Sequence, residues 1–69
     1  MKKVEIGNII KERRKFLGIT QQALAEIVGI SLRSLIDVEA GKGNPTIVQL
    51  DRILNALGLS IEIKVKSND

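Results

Sequence analysis

Histidine, cysteine, tryptophan and tyrosine are all missing from this sequence, and Phe16 is its single aromatic residue. Without cysteine there is no disulfide and no thiolate metal site. Without histidine the commonest metal ligand and the side chain that titrates near neutral pH are gone. General acid–base and nucleophilic chemistry therefore lose their usual carriers. Carboxylates remain, but Glu12, Glu26, Asp37, Glu39, Asp51 and Glu62 are scattered and show no metal-ligand or paired acid/base spacing. The expectation is a protein that is not an enzyme and that needs neither metal nor cofactor. One aromatic residue also excludes the stacking platforms that hold single-stranded nucleic acid or splayed RNA bases. A duplex read by a helix in its groove stays open.

Long apolar runs are absent as well. None approaches the roughly 20 residues that cross a bilayer, and Met1-Lys2-Lys3 is not followed by a signal-type segment, so no membrane contact and a cytoplasmic location are expected. With 69 residues the chain makes one domain at most and buries a small fraction of its surface, which makes oligomerisation the expected source of extra stability. The net charge is +3, and it is unevenly spread. Lys2, Lys3, Lys11, Arg13, Arg14, Lys15 and Arg33 stand against only Glu5, Glu12 and Glu26 in the first half. That balance suits a polyanion, although a solvated basic face reads the same way.

What is there is mostly helical periodicity. From Ile6 to Leu17 the residues Ile6, Ile9, Ile10, Phe16 and Leu17 recur at helical spacing, and Gly18 reads as the stop. Thr20 offers an oxygen to cap a second helix whose apolar face is Ala23, Leu24, Ile27 and Val28, ending at Gly29. Ser31 caps a third with Leu35 and Val38 inward, closing near Gly41. Asn44-Pro45-Thr46 restarts the chain, because proline disfavours helix before itself and is tolerated in a first turn. A fourth helix follows with Ile47, Leu50, Ile53, Leu54 and Leu57 as its buried stripe and Gly58 as its stop. Residues 59–66 then alternate apolar and polar, the period of a half-buried strand, and 67–69 read as a frayed tail.

Two short helices joined by a glycine-containing turn are what presenting one helix to a major groove requires. The segments Arg13-Arg14-Lys15-Phe16-Leu17-Gly18-Ile19-Thr20-Gln21, Leu24-Ala25, Val28-Gly29-Ile30-Ser31, Leu35, Val38-Glu39-Ala40-Gly41-Lys42, Asn44-Pro45-Thr46 and Leu57-Gly58 resemble the Xre, or Cro/CI-type, helix-turn-helix family of phage and bacterial repressors. The match spans residues 6–58. It implies an all-α, lambda repressor-like fold of four helices that binds double-stranded DNA and regulates transcription.

The resemblance also implies where a duplex would be touched. Gln21, in the first turn of the second helix, can grip a phosphate oxygen beside free backbone N–H groups, or be a surface glutamine kept for helix propensity. Ser31, Leu32, Arg33 and Ser34 open the third helix, whose exposed first turn faces base edges in the family. Arg33 suits guanine O6 and N7, or a phosphate. Leu32 suits a thymine methyl group, or an apolar partner protein. Asp37 departs from the family pattern. A carboxylate near phosphates is repelled unless it accepts from cytosine N4 or holds Arg33 through an i,i+4 pair, and the second use is preferred. Lys42 and Asn44 are placed for the phosphate backbone, with a merely solvated lysine as the plain reading of Lys42. Arg14 and Glu39 match positions that form a structural ion pair in the family.

A lone strand leaves its backbone groups unsatisfied. The preferred solution pairs residues 59–66 antiparallel with a second copy, burying Leu59, Ile61, Ile63 and Val65 in a homodimer; the alternative pairs them with a strand at Val4-Glu5-Ile6. A helix-turn-helix core followed by a strand resembles the HipB-type antitoxins, which adds a toxin protein and a palindromic operator as expected partners. A different class of function stays open beside these: an interaction adaptor docking through Leu32, Ile36 and Val48.

Overall fold

The computed structural model describes residues 1–67 and contains four helices: α1 (Lys3–Phe16), α2 (Gln21–Val28), α3 (Leu32–Glu39) and α4 (Ile47–Ala56). Residues 68 and 69, part of the tail expected at 67–69, lie outside the described residues. The caps fall where the sequence placed them. Thr20 Oγ1 accepts from Ala23 N–H at 3.0 Å and Ser31 Oγ accepts from Ser34 N–H at 3.0 Å, each satisfying a donor that the first helical turn leaves unpaired. Thr46 caps α4 in the same way, accepting from Gln49 N–H at 3.0 Å.

α1 starts earlier than its apolar spacing suggested. Val4, Glu5 and Ile6 form its first turn, where the Lys2 backbone N–H donates to the Glu5 carboxylate at 3.2 Å, so they cannot serve as a partner strand. Its buried face also differs from the expected one. Gly7, Ile10 and Arg14 face inward, whereas Ile9 is 44% exposed and Phe16 is 78% exposed. The spacing 7, 10, 14 is a true helical stripe; counting apolar residues alone passed over a glycine and an arginine. Phe16 instead lies against Arg13, whose guanidinium carbon is 5.3 Å from the ring centre.

The other helices show the same partial agreement. Leu24, Ala25 and Val28 of α2 are buried while Ile27 is exposed; Leu35 and Val38 of α3 are buried; Ile53, Leu54 and Leu57 are buried at α4 while Ile47 is exposed. Ile10, Leu24, Leu35, Ile53 and Leu57 form the centre of the core, with a contribution from every helix. α3 packs against α1 and α2, and α2 also packs against α4.

Residues 59–67 form no strand, and none is present among the described residues. Leu59 packs partly on the core, Ile61 is 42% exposed, and Ile63 and Val65 are almost fully exposed. The physical reason is that a strand exists only through its ladder, and within one chain the other candidate strand, Val4 to Ile6, has become helix. No described helix is long and apolar enough to cross a membrane.

Gly7 sets how closely α1 crosses α3. A β-carbon built there would lie 2.6 Å from the carbonyl oxygens of both Val38 and Glu39. In an open helix interior, glycine to alanine stabilises by roughly 0.5–1 kcal/mol. Here the sign reverses. Gly7→Ala should destabilise by about 1–3 kcal/mol through overpacking, which lowers the thermal midpoint by roughly 4–8 °C per kcal/mol, as read by circular dichroism.

Candidate nucleic-acid interface

The interface begins with the connection between α2 and α3. Gly29 takes the left-handed conformation (φ 82°, ψ 34°), which a side chain would resist, and its N–H returns to the Ala25 carbonyl at 2.9 Å. Only Ile30 and the capping Ser31 then separate it from α3. This tight turn holds α3, eight residues and so about 12 Å long, with one face in the core and its first turn outward.

Leu32 and Arg33 are exposed in that first turn, and Ser34 is half-buried. Arg33 Nε lies 3.6 Å from Asp37 Oδ1, with side chains 79% and 35% exposed. An exposed i,i+4 pair of this length is worth only a few tenths of a kcal/mol. It biases the guanidinium without locking it. Ser31 is used internally: its hydroxyl caps α3 and donates to Ser34 Oγ at 2.8 Å. That leaves the Ser34 hydroxyl proton as the outward donor of the two.

After α3 the chain turns through residues 41–46. The Lys42 N–H donates to the Asp37 carbonyl at 2.8 Å, and Lys42 and Asn44 are both exposed. Ser34, Asp37, Lys42 and Asn44 meet around one open cleft of about 200 Å³, joined by Gln49 from α4. Ser31, Leu32 and Arg33 stand beside it on the first turn of α3, and Gln21 is drawn elsewhere.

Gln21 belongs partly to the ion pair that supports the motif. Arg14 Nε donates to Glu39 Oε2 at 2.7 Å and Arg14 Nη2 to Glu39 Oε1 at 2.9 Å, a two-pronged contact with side chains only 10% and 3% exposed. Arg14 Nη1 also donates to the Ile19 carbonyl at 2.9 Å, and Gln21 Nε2 donates to Glu39 Oε1 at 3.1 Å. One amide hydrogen of Gln21 is thereby committed inward, and only the second is left for a contact outside the fold. The hydrogen bond to Glu39 raises the Arg14 pKa above its already high ordinary value; burial opposes the shift and the carboxylate's charge adds to it. The sign follows for the guanidinium: Arg14's contribution is fully present below the ordinary arginine value and is lost as the pH rises through its raised value, in strongly alkaline solution.

Basic residues are engaged in the fold, among them Arg13, Arg14 and Lys3 of the basic first half. Arg13 Nε donates to the Leu57 carbonyl at 2.9 Å and Arg52 Nη2 to the Val28 carbonyl, each closing a helix end. Gln49 and Lys3 were passed over by sequence reasoning. Lys3 Nζ donates to Gly43 O and Asn44 Oδ1, forty and forty-one residues away, and no local pattern signals such a contact.

The helix-turn-helix family model matches residues 10–64 of this sequence. The chain belongs to that family. It is 44% identical over 50 residues to an uncharacterised helix-turn-helix transcriptional regulator of Methanothermobacter thermautotrophicus, covering 72% of each chain. It is also 44% identical over 57 residues to the cryptic phage CTXphi transcriptional repressor RstR of Vibrio cholerae, covering 77% of this chain and 51% of that one. Among solved structures it is similar to SinR, a master regulator for biofilm formation in complex with DNA, with a TM-score of 0.73, 34% identity, and coverage of 80% and 89% of the two chains. The first two carry the names of a transcriptional regulator and a transcriptional repressor, and the third that of a master regulator.

Removing one side of the Arg14–Glu39 pair strands a buried charge. Arg14→Met should destabilise by about 3–5 kcal/mol, enough to leave much of so small a protein unfolded at 37 °C, with chemical denaturation as the measurement.

Proposed function

We propose that this chain is a cytoplasmic, sequence-specific regulator of transcription that binds duplex DNA as a homodimer and acts as a repressor. The observation that carries the reading is the outward first turn of α3, with Leu32, Arg33 and Ser34, set beside the cleft of Asp37, Lys42 and Asn44 on a rigid two-helix scaffold. Arg33, 79% exposed at its side chain, supplies the base-edge contact, and Asp37 orients it. Leu32 meets a thymine methyl group. Lys42, Asn44, Ser34 and the second amide hydrogen of Gln21 serve phosphates. The family membership and a relative solved on DNA support the same reading.

The test is a fluorescence-anisotropy titration with duplex DNA from upstream of the chain's own gene, beside a scrambled duplex, over a salt series. The expected affinity prefers the native sequence and falls steeply with salt, since each neutralised phosphate adds about 0.9 to the logarithmic slope. Arg33→Ala should weaken binding by about 1–3 kcal/mol and relax the preference at one base pair. Feeble binding to every duplex at low salt would overturn the proposal in favour of an adaptor docking through Leu32, Ile36 and Val48.

The dimer rests on the apolar alternation of the tail and on what lies next to it. Ile6, Ile9, Ile47, Leu50, Leu54 and Leu59 line an apolar groove of about 450 Å³ whose remaining wall is Met1 and residues 60–63. A second copy that orders residues 59–66 into a ladder would cover this groove together with Ile61, Ile63 and Val65. It would also place two α3 helices at half-sites about 34 Å apart. Ile61→Asp with Ile63→Asp should give a folded monomer by analytical ultracentrifugation, whereas an unchanged sedimentation coefficient would place the dimer contact elsewhere. An antitoxin role would rest on the same strand forming in the dimer, and no further observation supports it.

A further inference from the structure

We propose that Lys3 is a positioning residue for the phosphate-facing loop: it decides which way the Asn44 amide points. The inference rests on the DNA-binding reading above. Lys3 Nζ donates to the Gly43 carbonyl and to Asn44 Oδ1, both at 2.6 Å. An ammonium group only donates, so an asparagine beside it must present its oxygen. With that oxygen committed to α1, the two N–H donors of Asn44 are the atoms left for an outside ligand, and a phosphate oxygen is an acceptor that suits them. An asparagine without this neighbour can turn either end outward, and half of those orientations offer an acceptor to a phosphate, which repels it.

The contact is built into the fold and is not a chance meeting of two surface chains. Gly41, with φ +74°, lies so close to α1 that a β-carbon there would be 2.7 Å from Val4 Cγ2 and 2.9 Å from Val4 Cα. Gly7, one turn further on, is pressed against the carbonyl oxygens that end α3. The start of α1 is therefore held against the end of α3 and its loop at Val4, immediately after Lys3, and again at Gly7. The same end of the loop is also held by the Lys42 N–H on the Asp37 carbonyl. Just beyond these anchors, Gly43 and Asn44 have only Lys3 to set their orientation through a side chain, among the hydrogen bonds of the described residues.

A double-mutant cycle tests this, using the full chain and a labelled duplex that the unmodified protein itself recovers from a randomised pool. Lys3→Met should weaken binding about fivefold and Asn44→Ala by a similar factor, the size of one lost hydrogen bond. The double variant should bind no more than about twofold weaker than Asn44→Ala alone, because Lys3 then has no donor left to orient. Lys3→Arg, which keeps a donor for each acceptor, should restore affinity, and the thermal midpoint should stay unchanged in all of these exposed-site variants. If the two losses multiply, Lys3 acts independently of Asn44 and the inference is overturned. Equal affinity of Lys3→Met and the unmodified protein would overturn it while leaving the DNA-binding reading intact. Failure of the unmodified protein to recover any duplex would remove both.

Discussion

The buried contact of Arg14 with Glu39 is the constraint on which the remainder of the motif depends. It joins the end of α1 to the end of α3, and through Ile19 O and Gln21 it also holds the start of α2. A buried ion pair is a poor source of stability compared with apolar packing, because both ions leave water. Its use here is geometric. Two charges that can be satisfied in one arrangement only leave the helices a single way to meet, and a domain with so small a core has few other means of excluding alternatives.

That constraint fixes the back of α3 and so frees its front. Val38 and Glu39 are inward, Gly7 lets α1 approach their carbonyls, and Arg33 on the opposite side is left in solvent. The charged residues divide along the same line. Arg14 is buried with a carboxylate, and Arg13 and Arg52 close helix ends, while Arg33 and Lys42 remain exposed beside the cleft. A basic surplus in the first half of the chain therefore overstates its polyanion face. Only the fold shows which cations have already been used.

Legibility of the sequence followed the range of each interaction. Caps and stops were readable because Thr20 to Ala23 and Ser31 to Ser34 are contacts three residues apart, governed by local backbone chemistry. Asp37 reaching Arg33 was readable for the same reason. The buried face of α1 was misread because a hydrophobic stripe can contain a glycine that admits a neighbouring backbone and an arginine that meets a distant carboxylate. Ile9, Phe16, Ile27 and Ile47 are apolar but exposed, and periodicity cannot tell a core position from a surface left for another molecule. The strand at 59–66 failed for a related reason, since alternation proposes a strand but only a partner ladder forms one.

By itself the sequence determined the number and type of the helices, the caps of α2 and α3, the glycine turns, and through the resemblance the Arg14–Glu39 pair and the family. All of these follow from short-range backbone preferences or from a pattern that repeats in register. Tertiary structure alone decided that Gly7 is a crossing point, that Gln21 is half-committed to the ion pair, and that Lys3 closes on Gly43 and Asn44. Those facts depend on which surfaces meet after the chain has turned back on itself, and residues forty positions apart carry no local sign of one another.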